Sequence, residues 1–137
     1  GSVNVNVTST RAGDSTVTAT LADGSTATTT VTFTVDSSTA SLTGTGAGLT
    51  TVTDNAIANG TATNSVRAVV TDAHGNPVSG VAVNFTANNG ASLSAASGVT
   101  GTDGSVSVDV SSTRAGGSTV TASLAGGSTV TTTVTFT

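Results

Sequence analysis

Residues 66–85 read VRAVVTDAHGNPVSGVAVNF. Val66, Ala68 and Val70 recur at every second position, and so do Val81, Val83 and Phe85. Alternation of this kind puts one face of a strand in a core and the other in water. Between the two runs lies Asp72-Ala-His-Gly-Asn-Pro77. Asp72 is suited to accept backbone N–H bonds, Gly75 to take positive φ, and Pro77 to restart the chain. The stretch predicts a strand, a tight turn and a second strand.

The pattern extends in both directions. Val106, Val108 and Val110 alternate, as do Val3, Val5 and Val7. Val120, Ala122 and Leu124 repeat the spacing of Val17, Ala19 and Leu21. Val130, Thr132, Val134 and Phe136 repeat that of Ala27, Thr29, Val31 and Phe33. Turn residues separate these runs at Ala12-Gly13-Asp14, Ala22-Asp23-Gly24, Asn88-Asn89-Gly90, Thr102-Asp103-Gly104, Ala115-Gly116-Gly117 and Gly126-Gly127. Strands are predicted over 39–44, 51–58, 64–72, 80–87, 92–99, 104–112 and 118–124, closed by an eighth over 128–137. Short strands at this spacing predict an all-β, immunoglobulin-like antiparallel β-sandwich. Residues 36–65 carry the weakest pattern. They read as a linker over 35–38, a split first strand and a flexible Gly44–Gly48 loop, with Ala40, Leu42, Leu49, Val52 and Ile57 as core candidates.

Composition points the same way. Thr and Val dominate, and both favour pleated strands. The strong helix formers Glu, Lys, Gln and Met are absent. With no cysteine there is no disulfide and no thiolate metal site. With no tryptophan either, small aliphatic side chains and Phe85 and Phe136 are left to fill the core. Three Arg against seven Asp give a net charge of −4, which disfavours nucleic acid and polybasic membrane contact alike. No apolar run approaches the roughly 18 residues of a membrane helix.

Residues 1–34 return as residues 104–137, identical at 27 of 34 positions without a gap. Self-similarity at a fixed period, here 103 residues, marks a tandem repeat. Residues 1–35 are thus expected to be the last strands of a preceding repeat, and 36–137 one complete domain. The differences Asn4/Ser107, Asn6/Asp109, Thr8/Ser111, Asp14/Gly117, Thr20/Ser123 and Asp23/Gly126 fall at outward or turn positions. Only Ala27/Val130 touches a predicted core face.

At Val66–Phe85 the sequence resembles the signature of bacterial Ig-like domains of the group 1 (Big-1) type, found in intimin- and invasin-like inverse autotransporter adhesins. Asp72, Gly75, Asn76, Pro77, Val78, Gly80, Val83 and Phe85 carry the likeness. Thr102-Asp103-Gly104, Ser112-Thr113-Arg114-Ala115-Gly116 and the closing Val134-Thr-Phe136 continue it. The resemblance implies a non-enzymatic stalk of tandem domains on the outer surface of a Gram-negative bacterium, held by a separate outer-membrane anchor and projecting an adhesive tip. Its partners would be neighbouring Ig-like repeats of the same chain. The alternative is a binding module that contacts a host receptor or a like domain through loops at one end of the sandwich. A further reading makes residues 1–34 the donor of a strand-swapped oligomer. The missing Lys excludes a Lys–Asn isopeptide staple, which favours the Gram-negative reading.

Candidate sites are few. Asp72, His74 and Asn76 form the densest polar cluster, but a single His is a poor transition-metal site, so the cluster reads as a turn. Calcium between domains, a device of related arrays, would draw on Asp36 and Asp54 with Asp14, Asp23 or Asp103. Calcium needs several carboxylates, and no Asp-x-Asp-x-Asp run exists, so no cofactor or metal is expected. Catalytic residues are not expected either. His74 is the only His, and no Gly-x-Ser-x-Gly elbow is present. Gly44-Thr-Gly46-Ala-Gly48 lacks the Lys of a phosphate loop.

Overall fold

Gly13–Thr20 (β1) and Thr26–Phe33 (β2) pair antiparallel, from Gly13 opposite Phe33 to Thr20 opposite Thr26. This hairpin belongs to the first of two units, Gly1–Val35 and Asp36–Thr137, in a computed structural model that describes all 137 residues. The second unit holds Gly48–Thr53 (β3), Asn64–Val69 (β4), Ala82–Ala87 (β5) and Ser92–Leu93 (β6). Ser97–Val99 (β7), Ser105–Ser111 (β8), Gly116–Ser123 (β9) and Thr129–Phe136 (β10) follow. One sheet runs β10-β9-β5-β7 and the other β3-β4-β8-β6, every neighbouring pair antiparallel.

The alternation seen in the sequence fills the space between the sheets. Val66, Ala68, Val108 and Val110 face inward from one sheet; Val83, Phe85, Val120, Ala122, Val134 and Phe136 do so from the other. Leu42, Val70, Val78 and Leu124 close one end. Small side chains leave little area per residue, so the two phenylalanines supply a large share of the burial.

Four expectations fail, each for want of a partner or because of an extra one. Residues 39–44 form no strand. Asp36 caps a 3-10 turn at Ser37–Thr39, and Ser41 makes only an isolated bridge with Thr71. The predicted 51–58 strand instead starts at Gly48, inside the expected loop, and ends in a bulge between Thr51 and Thr53. The bulge turns Val52 outward, and Val52 and Ile57 are both 62% exposed rather than in the core. The 92–99 strand divides into β6 and β7, which join opposite sheets. Ser94 anchors that crossing, its N–H donating to the Asp109 carbonyl and its hydroxyl accepting from the Asp109 N–H.

The fourth failure is Val3–Val7, which alternates like β8 yet forms no strand. β8 pairs with β4 and β6, and neither has a twin within Gly1–Val35. A strand without a neighbour leaves its backbone groups to water. For a related reason Phe33 is only half-buried, whereas its twin Phe136 is buried under a second sheet.

Within Asp36–Thr137 the strands run between two poles. Asp36–Ala47, the 70–81 turn and the 124–128 turn gather at one: Ser41 pairs with Thr71, and the Leu42 N–H donates to Ser128 Oγ at 2.9 Å. Asp54–Thr63, the 88–91 turn and Ser112–Ala115 gather at the other: the Gly60 N–H donates to the Ser112 carbonyl and Arg114 reaches Asn89. There Ala56 bridges Phe136 in parallel, and the Ala58 N–H donates to the Thr137 carbonyl at 2.9 Å. The domain therefore begins at one pole and finishes at the opposite one.

Candidate functional site

Asp72 lies at the first pole on the core parity of Val66, Ala68 and Val70, and only 2% of it is exposed. Its Oδ1 accepts from the backbone N–H of His74 and of Asn76, each at 2.9 Å. The Asn76 side-chain amide donates to both carboxylate oxygens, at 3.2 and 3.0 Å. The Asp36 N–H, at 3.2 Å, takes the remaining face of Oδ2. Burial opposes ionisation of this carboxyl. The donors from Asn76, Asp36 and His74 outweigh it and hold the pKa down, from 3.8 to about 2. Gly75 takes φ +84, as the turn requires.

This carboxylate is thus saturated by the protein and leaves no lone pair aimed at a ligand. His74 is exposed and lies outside the cluster's hydrogen bonds except through its backbone. The sequence cluster is a fastening between the domain's first residue and its longest turn. The Ala73 N–H, which donates to Thr39 Oγ1 at 2.9 Å, adds a second tie.

The other acidic residues are scattered. Asp54 sits at the far pole, where it accepts from the Thr135 N–H at 2.6 Å, so it cannot share an ion with Asp36 of the same domain. Asp103 accepts from Ser105 and pairs with Arg67 at 3.1 Å on the surface; the Ser105 hydroxyl and N–H chiefly lower its pKa. In the first unit Asp14 accepts from Thr32, and Asp23 from Ser25, whose N–H and hydroxyl lower the Asp23 pKa. No three His, Cys, Asp or Glu side chains come together to hold a metal. Gly44–Gly48 wraps Thr71, whose hydroxyl donates to the Thr45 carbonyl at 3.1 Å, and so has a packing role.

One residue the sequence reading passed over ties the far pole together. Asn64 is fully buried at the head of β4. Its Oδ1 accepts from the Ala56 N–H and its amide donates to the Thr135 carbonyl, both at 2.9 Å. Its place on the core parity of Val66 and Ala68 was the available signal. At the first pole Ser37, Ala40, Val81, Leu124 and Ala125 line an open groove of about 330 Å³ that contains no ionisable side chain. The site inventory thus consists of structural ties at two poles joined by a hydrophobic core.

Residues 38–137 match the bacterial Ig-like domain (group 1) family. The inverse autotransporter adhesin YeeJ of Escherichia coli (strain K12) is 35% identical over 129 residues, which is 90% of this chain and 5% of YeeJ. Invasin, a bacterial integrin-binding protein, superposes with a TM-score of 0.63 at 28% identity, over 66% of this chain and 19% of its own. The D0-D1 domain of intimin superposes with a TM-score of 0.63 at 29% identity, over 91% of this chain and 63% of its own. The chain is thus related to adhesin domains, and spans a small part of the curated relative it matches.

Proposed function

The chain belongs to the bacterial Ig-like domain (group 1) family, and from that premise we propose that it is a stalk segment of a surface adhesin, a spacer that holds an adhesive tip away from the cell. The observation that carries this reading is the placement of Asp36 and Thr137 at opposite poles of one domain. A chain that enters at one pole and leaves at the other extends the protein by the full length of the sandwich. β10 alone has eight residues, about 26 Å at about 3.3 Å each. The closed polar network at Asp72 and the scattered carboxylates favour a mechanical role over a chemical one. On this reading residues 1–35 are the last strands of a preceding repeat, and the protein lies outside a Gram-negative cell, anchored elsewhere in the longer chain.

Small-angle scattering on one, two and three tandem copies of residues 36–137 tests the proposal. The expected result is a maximum dimension that grows by a constant step per copy. Copies that fold back on one another would overturn it.

The integrin-binding description of invasin favours a second reading, in which the loops of one pole contact a host receptor. Exchange of the 54–63, 88–91 and 112–115 loops for those of another repeat separates the two. A spacer keeps cell attachment after the exchange, and a binding module loses it.

A further inference from the structure

β3 is the outer strand of one sheet and β10 the outer strand of the other. β3 is the first strand after Asp36, and β10 the last before Thr137. Both leave the first pole and head for the far one, so they run in the same direction, as the parallel bridge between Ala56 and Phe136 records.

The flank between them is fastened repeatedly. Thr51 Oγ1 lies 3.0 Å from Thr132 Oγ1 and donates to the Thr133 carbonyl at 3.1 Å. Asp54 Oδ1 accepts from the Thr135 N–H at 2.6 Å. The Asn55 N–H donates to the Thr135 carbonyl at 3.1 Å, and the Thr137 N–H to the Ala56 carbonyl at 3.0 Å. The Ala58 N–H closes the series on the Thr137 carbonyl. No ladder joins β3 to β10, so the Thr51 and Asp54 side chains do the fastening until the chain reaches Asn55.

The direction of a pull decides how these bonds are loaded. Tension on Asp36 draws β3 back towards the first pole, and tension on Thr137 draws β10 out past the far one. The two strands are dragged lengthwise past each other, and bonds strung along such a seam have to give way together. The ties at the first pole are met differently. Asp36 to Asp72, Thr39 to Ala73, Ser41 to Thr71 and Leu42 to Ser128 follow one another along a single segment, so tension from Asp36 reaches them one at a time.

We propose that the seam between residues 51–58 and β10 is the load-bearing element of the domain, and that the Asp54 carboxylate and the Thr51 hydroxyl hold it under tension. The proposal rests on the stalk reading, which sends tension through both poles. It gives a function to Asp54, an exposed carboxylate that belongs to neither the core nor a metal cluster.

The test is single-molecule force spectroscopy on the full chain held by its two ends. Asp54→Ala with Thr51→Val should raise the unfolding rate of the Asp36–Thr137 unit at a fixed force by about tenfold or more. Thr100→Val is the control. It removes a buried tie away from the seam, where Thr100 Oγ1 donates to the Val78 carbonyl at 2.7 Å and accepts from the Val81 N–H at 3.0 Å. Thr100→Val should lower stability in urea, yet change the rate at that force by less than about threefold, because contacts still intact at the point of rupture do not speed unfolding. Asp54→Ala alone covers the case in which the double variant folds poorly, since the residue is exposed. Its rate at force should also exceed that of the native chain. A native rate for Asp54→Ala, or a Thr100→Val effect as large as that of the seam variants, would overturn the proposal. Scattering on tandem copies tests the stalk reading separately, so either can fail without the other.

Discussion

The Asn64 side-chain amide donates to the Thr135 carbonyl at 2.9 Å, across from one sheet to the other. Its oxygen meanwhile holds the Ala56 N–H, so a single buried side chain fastens the 54–58 segment to the last strand. Asn64→Ala would take the side-chain acceptor from the Ala56 N–H and leave the Thr135 carbonyl with the Asn55 N–H as its donor. A buried polar group left unpaired costs about 1–3 kcal/mol, so a loss of about 1–3 kcal/mol is expected. Urea unfolding measures it; a change within about 0.5 kcal/mol would contradict the role.

Asp72 makes stability depend on acid. Its folded pKa, about 2, lies below the ordinary 3.8, so the unfolded chain binds the proton more tightly. The carboxylate's contribution is complete above pH 3.8 and disappears as the pH falls from there towards about 2. Asp72→Asn should lower stability at neutral pH and flatten that part of the curve. Denaturant midpoints collected from pH 6 to pH 2 decide the matter, and parallel curves for both proteins would exclude it.

Gly104 combines φ +74 with the closest approach to backbone of any glycine in the domain. A Cβ there would stand 2.7 Å from the Val70 carbonyl and 2.9 Å from Pro77 Cβ. Gly104→Ala is expected to cost about 2–4 kcal/mol, from backbone strain together with the clash. Gly126→Ala is the control, since open space surrounds that position. Equal melting temperatures for the two variants would refute the argument.

Ser118 stands on the core parity of Val120 and Ala122, and its buried hydroxyl has no hydrogen-bond partner. Ser118→Ala removes that liability at the cost of a very small void. A gain of about 1 kcal/mol is expected, or about 4–8 °C in melting temperature for a domain of this size. A lower melting temperature would mean that the hydroxyl is satisfied in solution.

Calcium should leave the fold unaffected. With Asp72 saturated by internal donors and Asp36 and Asp54 at opposite poles, nothing at either pole assembles the six or more oxygens the ion needs. Thermal melts in calcium and in chelator are expected to coincide, and a shift of several degrees would point to a site between domains.

How legible the fold was depends on whether a strand's neighbours came from the same pattern. β4, β5, β8, β9 and β10 alternate cleanly and face one another across two sheets, so parity alone assigned their buried residues. The segment before β4 obeys different rules. There the chain is placed by side-chain bonds from Asp72, Ser128 and Thr39, which leave no periodic trace. Val3–Val7 shows the converse: perfect alternation with no partner strand, and hence no strand. The Asp72 cluster was readable as a turn because short-range acceptors determine it. Asn64 and Ser118 were hidden because a polar residue on core parity looks like an interruption until its partners, or their absence, can be seen.

Hairpins β1–β2 and β9–β10 share one register, with Gly13 opposite Phe33 as Gly116 is opposite Phe136, and this bears on how such a protein changes over generations. A genetic crossover anywhere within the twin segments joins the front of one domain to the back of another, and the hybrid domain neither gains nor loses a residue. The hybrid hairpin keeps every cross-strand pair and every inward side chain except the Ala27/Val130 difference. Breakpoints can therefore fall in the middle of a domain and still leave a whole one behind. Recombination of this kind changes the chain in steps of 103 residues without first passing through a misfolded intermediate.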